Sequence, residues 1–193
     1  MTARFRIALL PLLLMICLSC QSAGDSAPSE NVFSVPDLGL RYIPPAGMKD
    51  KTSPTAREAR DHAASYAGKS AKLLLDMSSA ESDADPDWHN LWVFIFPRAL
   101  LSNLNDAAAE GKMNTALAGP KAAPVSQPQS TLLAGRGFLV SEFEQKEPPL
   151  VKHAKIFTTI CHGQLVSFAL VSNSAAQVSV MEKTLKTLDL SGR

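Results

Sequence analysis

The sequence has few of the features that usually mark an enzyme, a metal protein or a nucleic-acid-binding protein. Two of its three cysteines, Cys17 and Cys20, lie in the amino-terminal segment, so Cys161 has no partner for an intrachain disulfide in the rest of the chain. The 19 lysines and arginines balance 18 aspartates and glutamates, which leaves no basic excess for nucleic acid or anionic lipid. Neither a Gly-x-Ser-x-Gly elbow nor a glycine-rich phosphate loop occurs. We therefore predict no cofactor, no metal site, no catalytic residue and no nucleic-acid partner.

The histidines do not have the spacing of a metal site. They are His62, His89, His153 and His162. Cys161 and His162 are adjacent, and adjacent residues of a strand point to opposite faces, so they cannot form a thiolate pair on a continuous strand. We expect Cys161 to be a small buried side chain and His162 to be a turn residue.

Two acidic patterns are better explained as solvated surface than as sites. Asp83, Asp85 and Asp87 alternate as in a calcium loop, but Trp88 and Phe94 stand where that loop needs glycine and glutamate. We therefore predict an exposed loop. Glu142 and Glu144 share one face of a predicted strand, where paired carboxylates are usually solvated.

What is present begins with an export signal. Arg4 and Arg6 precede an uncharged apolar run over residues 7–18, which is shorter than the roughly 20 residues of a membrane-spanning helix and fits a signal peptide. The run ends in Leu18-Ser19-Cys20, which resembles a bacterial lipobox, in which the cysteine is acylated and becomes the mature amino terminus. The alternative is ordinary secretion with cleavage near Ala23.

This interpretation divides the chain into three parts. Residues 1–19 are a lipoprotein signal peptide, residues 20–31 a flexible tether, since they are small, polar and without periodicity, and residues 32–193 a single α/β domain. A lipid on Cys20 would anchor the protein in the membrane. Gln21 in place of aspartate suggests, by resemblance to enterobacterial sorting, the periplasmic side of the outer membrane.

Apolar alternation predicts the strands. Residues 88–96 are apolar on both faces, with Trp92 and Phe94 on one and Leu91 and Val93 on the other, so we predict a central strand that is covered on both sides. Residues 32–43 read as a half-buried opening strand. In residues 69–77 four apolar residues alternate and should share one face. They are Ala71, Leu73, Leu75 and Met77.

Two hairpins are predicted towards the carboxyl end. Residues 151–161 and 164–171 flank His162-Gly163, which suits a two-residue turn and places Phe157 opposite Phe168, with Ile156 opposite Ala169 on the other face. Residues 131–134 and 137–145 should pair around Gly135-Arg136.

Three helices are predicted. The first runs from an N-cap at Ser53 to about Ala67, and the second spans residues 97–111. Residues 112–130 should then be a loop or the rim of the sheet, because they contain three prolines. The last helix, residues 175–188, begins with a capping box formed by Ser174 and Gln177.

The order of these elements suggests a family. A short opening strand ends in Tyr42-Ile43-Pro44-Pro45-Ala46-Gly47, and helix, apolar strands, helix, proline-containing loop, antiparallel strands and closing helix follow. This order resembles the PsbP-like α/β/α sandwich, also seen in a Ran-binding nuclear import factor. The resemblance implies a mainly antiparallel sheet with helices on both faces in three layers. It also implies a non-enzymatic binding or assembly factor, since most family members are of that kind.

Three functional hypotheses remain open. The first is a lipid-anchored cell-envelope binding or accessory module without catalytic activity, which holds an envelope protein partner. The second is an envelope hydrolase with a site assembled from distant acidic residues and from His89, His153 and His162. The third is a carrier that holds a small ligand between the sheet and the loop at residues 120–128.

Overall fold

A mainly antiparallel β-sheet forms the centre of this protein. The computed structural model describes residues 31–61, 65–66 and 69–191. The sheet has eight strands in the order β3-β6-β7-β12-β11-β10-β8, with β9 also paired to β10. These strands are β3 (Lys49–Asp50), β6 (Lys72–Ser78), β7 (His89–Pro97), β8 (Ala123–Pro124), β9 (Gln129–Leu133), β10 (Arg136–Glu147), β11 (Leu150–Cys161) and β12 (Gln164–Ser172).

Helices lie on both faces of the sheet. We call the two faces the α3 face and the α2 face, after α3 (Ala175–Thr184) and α2 (Asp106–Ala118). On the α3 face, Val178 and Met181 pack in one apolar cluster with Leu91 and Phe168. On the α2 face, Met113 packs with side chains such as Phe94 and Leu165. The predicted three-layer α/β sandwich is confirmed.

Strand β7 has the character that its sequence predicts. Leu91 and Val93 are buried in the cluster of the α3 face, whereas Phe94 and Phe96 are buried on the α2 face. The strand lies between β6 and β12. The prediction of a central strand that is covered on both sides is therefore confirmed.

The hairpin of β11 and β12 is also confirmed in its register. His162 and Gly163 form the turn with φ of 48° and 75°, and Phe157 stands opposite Phe168 while Ile156 stands opposite Ala169. The β9–β10 hairpin is displaced by one residue, since Leu133 pairs with Arg136 and the turn residues are Ala134 and Gly135.

Strand β6 corrects the prediction for residues 69–77. A register shift falls between Leu73 and Leu75, so the side chains before and after it point to opposite faces. Leu73 is buried on the α2 face, whereas Leu75 and Met77 are buried on the α3 face. The extra residue of a bulge reverses the alternation, and the regular pattern in the sequence hides it. The preceding residues form β5 (Lys69–Ser70), which pairs with β4 (Ser65–Tyr66).

The first helix is shorter than predicted. Ser53 is its N-cap, because Ser53 Oγ accepts a hydrogen bond from the Ala56 N–H at 3.1 Å. Helix α1 (Pro54–Asp61) ends before the short strand β4, and the predicted end at Ala67 falls outside the described residues.

The helix predicted over residues 97–111 is correct only from residue 106 onwards, where α2 begins. Residues Arg98–Leu101 form a 3-10 turn, which Arg98 closes by donating to the Leu101 carbonyl oxygen at 2.7 Å. Helix α2 starts after Asn105, whose side chain accepts from the Ala108 N–H at 2.8 Å. Gly111, read as a helix end, lies inside α2, and α2 occupies the first part of the predicted loop. The later part of that loop forms the rim strand β8, as predicted.

The opening strand is divided in two. β1 (Phe33–Val35) and β2 (Leu40–Tyr42) form a hairpin around a 3-10 turn that ends at Gly39, with φ of 58°. Leu38, Leu40 and Tyr42 are buried as predicted and pack on the α3 face.

Helix α3 is followed by a 3-10 turn, Leu185–Thr187. The predicted buried face, which includes Val178 and Met181, is confirmed. The predicted capping box is wrong, because in the described helix the Ser174 side chain makes no capping hydrogen bond. The Ser174 backbone N–H instead donates to Ser172 Oγ at 3.0 Å. This hydrogen bond holds the start of α3 to the end of β12. No helix in the described part of the chain is long and apolar enough to cross a bilayer.

Candidate functional site

The histidines suggested by the sequence lie at opposite ends of the sheet. His89 and His153 flank Ser172 in one row across β7, β12 and β11. His162 lies beyond the far end of β11, and a rise of about 3.3 Å per residue places it roughly 30 Å from His153. His62 and the lipidation candidate Cys20 lie outside the described residues. His89, His153 and His162 therefore do not form one site.

The row that contains His89 and His153 is a structural arrangement. Ser172 is fully buried, and Ser172 Oγ donates to the Trp88 carbonyl oxygen at 3.1 Å. The Ser172 hydroxyl thus uses its hydrogen to bind the chain directly before β7. His153 lies 3.4 Å from Glu144, and His89 Nδ1 lies 2.9 Å from the Asp87 carbonyl oxygen. A hydroxyl enclosed in this way cannot attack a substrate.

Cys161 and His162 also separate as the sequence predicts. Cys161 is fully buried, with its Sγ 3.5 Å from the Leu38 carbonyl oxygen. His162 is an exposed turn residue whose Nδ1 lies 3.2 Å from the Asp37 carbonyl oxygen. The thiol belongs to the core of the α3 face.

The two acidic patterns of the sequence lie at or near the surface, and several of their carboxylates have basic partners. Residues 81–87 form an exposed loop, as predicted, and Asp83 pairs with Lys152 at 2.8 Å. Lys155 lies 3.1 Å from Glu142 and 2.9 Å from Glu182. No three metal-ligating side chains come together within the residues that the structure describes.

A cleft with a volume of about 250 Å³ lies on the α2 face. We call it the α2 cleft. Helix α2 packs on this face through side chains such as Met113, and the cleft lies beside its last turn. Leu117 and Ala118 from α2 form one wall, while the floor and the other walls come from β7, β10, β11 and β12. The lining includes Trp88, Trp92, Phe94, Phe143, Ile156 and Val171.

The cleft exists because small side chains lie in the middle of the sheet. Ala154 and Ala169 line it from the two central strands, β11 and β12. Trp92 is paired with Ala169, and Phe143 is paired with Ala154. Larger side chains thus stand on both sides of two alanines. Because an alanine ends at Cβ, a space remains between the aromatic rings.

One end of the cleft is charged. Lys152 Nζ lies 2.8 Å from Asp83 and 2.9 Å from Glu147, and 5.7 Å from the centre of the Trp88 ring. Burial lowers the pKa of Lys152, but the hydrogen bonds to Asp83 and Glu147 outweigh this effect, so the pKa is raised above its ordinary value. Lys152 is therefore a cation with two carboxylate partners, and it cannot act as a neutral base at physiological pH.

The other end is closed by a buried polar network. Asn114 of α2 is fully buried and donates to Ser141 Oγ at 2.9 Å and to the Leu139 carbonyl oxygen at 3.2 Å. Its side-chain oxygen accepts from Thr158 Oγ1, which is 2.6 Å from Ser167 Oγ. The network attaches the last turns of α2 to three strands, and so it positions the helical wall of the cleft.

Sequence reasoning missed most of this site. Of the residues weighed for chemistry, only Asp83 lines the cleft. The third hypothesis placed a small ligand between the sheet and residues 120–128, and one residue of that loop, Ala122, does line the cleft. The signal in the sequence was the occurrence of Trp88 and Trp92 together with alanines at Ala154 and Ala169, and only the register of three strands, β7, β12 and β11, joins them.

Comparisons with known proteins identify the fold. No family model matches the chain, and no curated protein matches its sequence. The chain is similar to the solution structure of cyanobacterial PsbP (CyanoP) from Synechocystis sp. PCC 6803, with a TM-score of 0.55 and 17% identity over 89% of this chain and 98% of that one. The predicted resemblance to the PsbP-like fold is therefore confirmed.

Two other structures are similar at a lower level. One, from Bacteroides thetaiotaomicron VPI-5482, has a TM-score of 0.46 and 11% identity over 82% of this chain and 47% of that chain. The other is LpqN of Mycobacterium tuberculosis, described as involved in cell envelope biogenesis, with a TM-score of 0.43 and 9% identity over 78% of this chain and 79% of that chain.

Proposed function

We propose that this protein is a non-catalytic binding module of the bacterial cell envelope, held at the membrane by a lipid on Cys20, and that the α2 cleft is its binding site. The observation that carries the proposal is the cleft itself. A preformed concave site with aromatic and aliphatic walls and a few polar groups at one end is the usual form of a ligand site, and the α2 cleft has these properties.

The arrangement of the other groups favours binding over catalysis. The only lysine in the lining, Lys152, is ion-paired, and Asp83 is its partner. The candidate histidines of the hydrolase hypothesis lie outside the lining, and His153 and His162 are about 30 Å apart. A nucleophile and a general base must be within hydrogen-bond reach of each other. The described residues that face the cleft do not provide such a pair.

The anchor is tested by a matched pair of cysteine variants. We expect Cys20→Ser to release the protein from the membrane fraction or to leave uncleaved precursor, because the acylated thiol is lost. Cys17→Ser changes the same residue type three positions earlier, and it should fractionate and migrate like the parent protein. If Cys20→Ser also behaves like the parent protein, the lipid anchor is wrong.

The binding site is tested by material that co-purifies with the protein. The full-length chain is extracted from envelopes in detergent, and native mass spectrometry and proteomics compare it with Ala169→Leu, which fills the floor of the cleft. Ala107→Leu, an exposed change on α2, is the control. We expect a molecule or envelope partner that is retained by the parent protein and by Ala107→Leu, and lost from Ala169→Leu. If nothing depends on the cleft, the proposed binding site is wrong.

A further inference from the structure

We infer that the α2 cleft takes a small uncharged molecule with an aromatic or aliphatic body and one oxygen acceptor, with that oxygen bound to Lys152. This inference rests on the proposed function, because it names the class of ligand for the same site. It follows from the size of the cleft, from the charges at its end and from the hydrogen-bonding capacity of the lysine.

The size of the cleft limits the body of the ligand. The volume of about 250 Å³ lies below the range of roughly 300–1,000 Å³ that is typical of pockets for drug-sized ligands. The floor, Ala154 and Ala169, has no polar side-chain atom, and Phe143 and Ile156 beside it are apolar. A body of about one substituted ring fits this space, and it would gain free energy from burial of its apolar surface.

The charges at the end of the cleft exclude an anion. Lys152 is within 2.9 Å of both Asp83 and Glu147, so one positive charge is combined with two negative charges. A carboxylate placed beside Lys152 would also lie beside these two carboxylates, and like charges repel. The two carboxylates in contact with Lys152 therefore disfavour acids as ligands.

Lys152 nevertheless keeps a donor for a neutral group. A lysine ammonium has three N–H donors. Asp83 and Glu147 accept two of them, which leaves one N–H beside the Trp88 ring for a carbonyl, hydroxyl or ether oxygen. A ligand that brings an oxygen to this point adds a hydrogen bond to a charged donor, and such bonds are stronger than those between neutral groups.

The protein contains its own reporters of binding. Its two tryptophans, Trp88 and Trp92, both line the cleft. Their indole N–H signals in ¹H–¹⁵N spectra, and the intrinsic fluorescence, therefore respond to an occupant of this site and to few other events. No label is needed.

The experiment uses three probes with the same ring and different head groups. They are p-xylene, which has no acceptor; 4′-methylacetophenone, which has a neutral carbonyl; and p-toluate, which is an anion. We expect 4′-methylacetophenone to shift both indole signals with saturation. Its dissociation constant should be at least about tenfold lower than that of p-toluate and about threefold lower than that of p-xylene.

Variants of the cleft and a control outside it show where the probes bind. Ala169→Leu should abolish the shifts caused by 4′-methylacetophenone, and Ala118→Leu, which fills the cleft from its wall, serves if Ala169→Leu fails to fold. The exposed control Ala107→Leu should bind like the parent protein. Lys152→Met should remove the preference for 4′-methylacetophenone over p-xylene, because the donor to the carbonyl oxygen is then lost.

The remaining outcomes overturn the inference in distinguishable ways. Equal or tighter binding of p-toluate would show that the cleft accepts anions. Absence of any shift with all three probes at millimolar concentration would exclude a small-molecule site. If an envelope protein were still lost from Ala169→Leu in the co-purification experiment, the proposed function would stand, with a protein side chain as the occupant.

Discussion

The two faces of the sheet are built from the same strands but differ in how they are covered. On the α3 face, α3, the following 3-10 turn and the β1–β2 hairpin cover one continuous apolar cluster. On the α2 face, the apolar side chains fall into two clusters, with the Asn114 network between them. One apolar cluster spans the first face, whereas the second face combines a core with the α2 cleft, the proposed binding site. The difference shows that one layer of a three-layer sandwich can leave a cleft beside a packed core.

The largest effect is expected from the core of the α3 face. Phe168 is fully buried and makes an edge contact with Tyr42, with ring centres 5.6 Å apart. Phe168→Ala should lower the free energy of unfolding by about 3–5 kcal/mol. Denaturant titration measures this change.

The neighbouring residue sharpens the contrast between the faces. Ala169 follows Phe168 but faces the α2 cleft. Ala169→Leu should change the free energy of unfolding by less than about 1 kcal/mol, because the new side chain enters an existing space and does not overpack a full one. Equal losses for the two variants would mean that the cleft is as tightly packed as the core.

A smaller loss is expected from the polar network that divides the α2 face. Asn114→Ala should lower the free energy of unfolding by about 2–3 kcal/mol, because the buried hydroxyls of Ser141 and Thr158 lose their partner. It should also weaken probe binding in the cleft, since the helical wall is no longer fixed.

The adjacent residue is a matched control for that variant. Thr115 is exposed, and its hydroxyl donates only to the Gly111 carbonyl oxygen of its own helix, at 3.0 Å. Thr115→Ala should therefore leave both the stability and the binding nearly unchanged. A similar loss for both variants would contradict the role assigned to the network, because alanine is a better helix former than either residue it replaces.

The smallest effect is a dependence on pH at the start of α2. Burial raises the pKa of Glu110 to about 7, and the nearby Asp106 carboxylate contributes. The folded state therefore favours the protonated form of Glu110. The stability that this preference contributes is complete below the ordinary pKa of 4.5 and is lost as pH rises through 7.

Glu110→Gln should remove the loss of stability that accompanies a rise in pH through 7. The carboxyl group is half-buried, so solvent screening limits the effect to about 1 kcal/mol, which corresponds to roughly 2–4 °C in Tm. Thermal unfolding should show the gain at pH 8 and little difference at pH 4.5. The control is Glu58→Gln on α1, an exposed position, which should show no gain in Tm at either pH. A gain at both pH values for Glu110→Gln would contradict the raised pKa of Glu110.

Local patterns predicted most of the sheet but not the places where its regularity is interrupted. The β11–β12 hairpin was predicted to the residue, because Gly163 after His162 allows positive φ and the apolar pairs on both faces agree with one register. The bulge before Leu75 was missed, because an inserted residue leaves an alternating sequence looking regular.

Helix boundaries failed for a related reason. Leu100, Leu101 and Leu104 suggest a helical stripe, yet α2 begins only after Asn105. The Arg98 guanidinium donates to the carbonyl oxygens of Leu101 and Leu104, which lie before α2. No local sequence pattern predicts these hydrogen bonds. The third hypothesis pointed to the neighbourhood of the cleft. The lining of the cleft could not be predicted, because it comes from four strands, one helix and the loops that hold Asp83 and Ala122.

By itself, the sequence determined that strands apolar on both faces must be covered on both sides, since apolar side chains are buried wherever the chain can bury them. It also determined the tight turn at His162-Gly163, because few residues adopt a left-handed backbone. Only the tertiary structure decided that Ala154 and Ala169 lie in adjacent strands beside the last turn of α2, with Phe143 opposite Ala154 and Trp92 opposite Ala169. Cross-strand register and helix docking set that arrangement, and both depend on contacts between residues far apart in the chain.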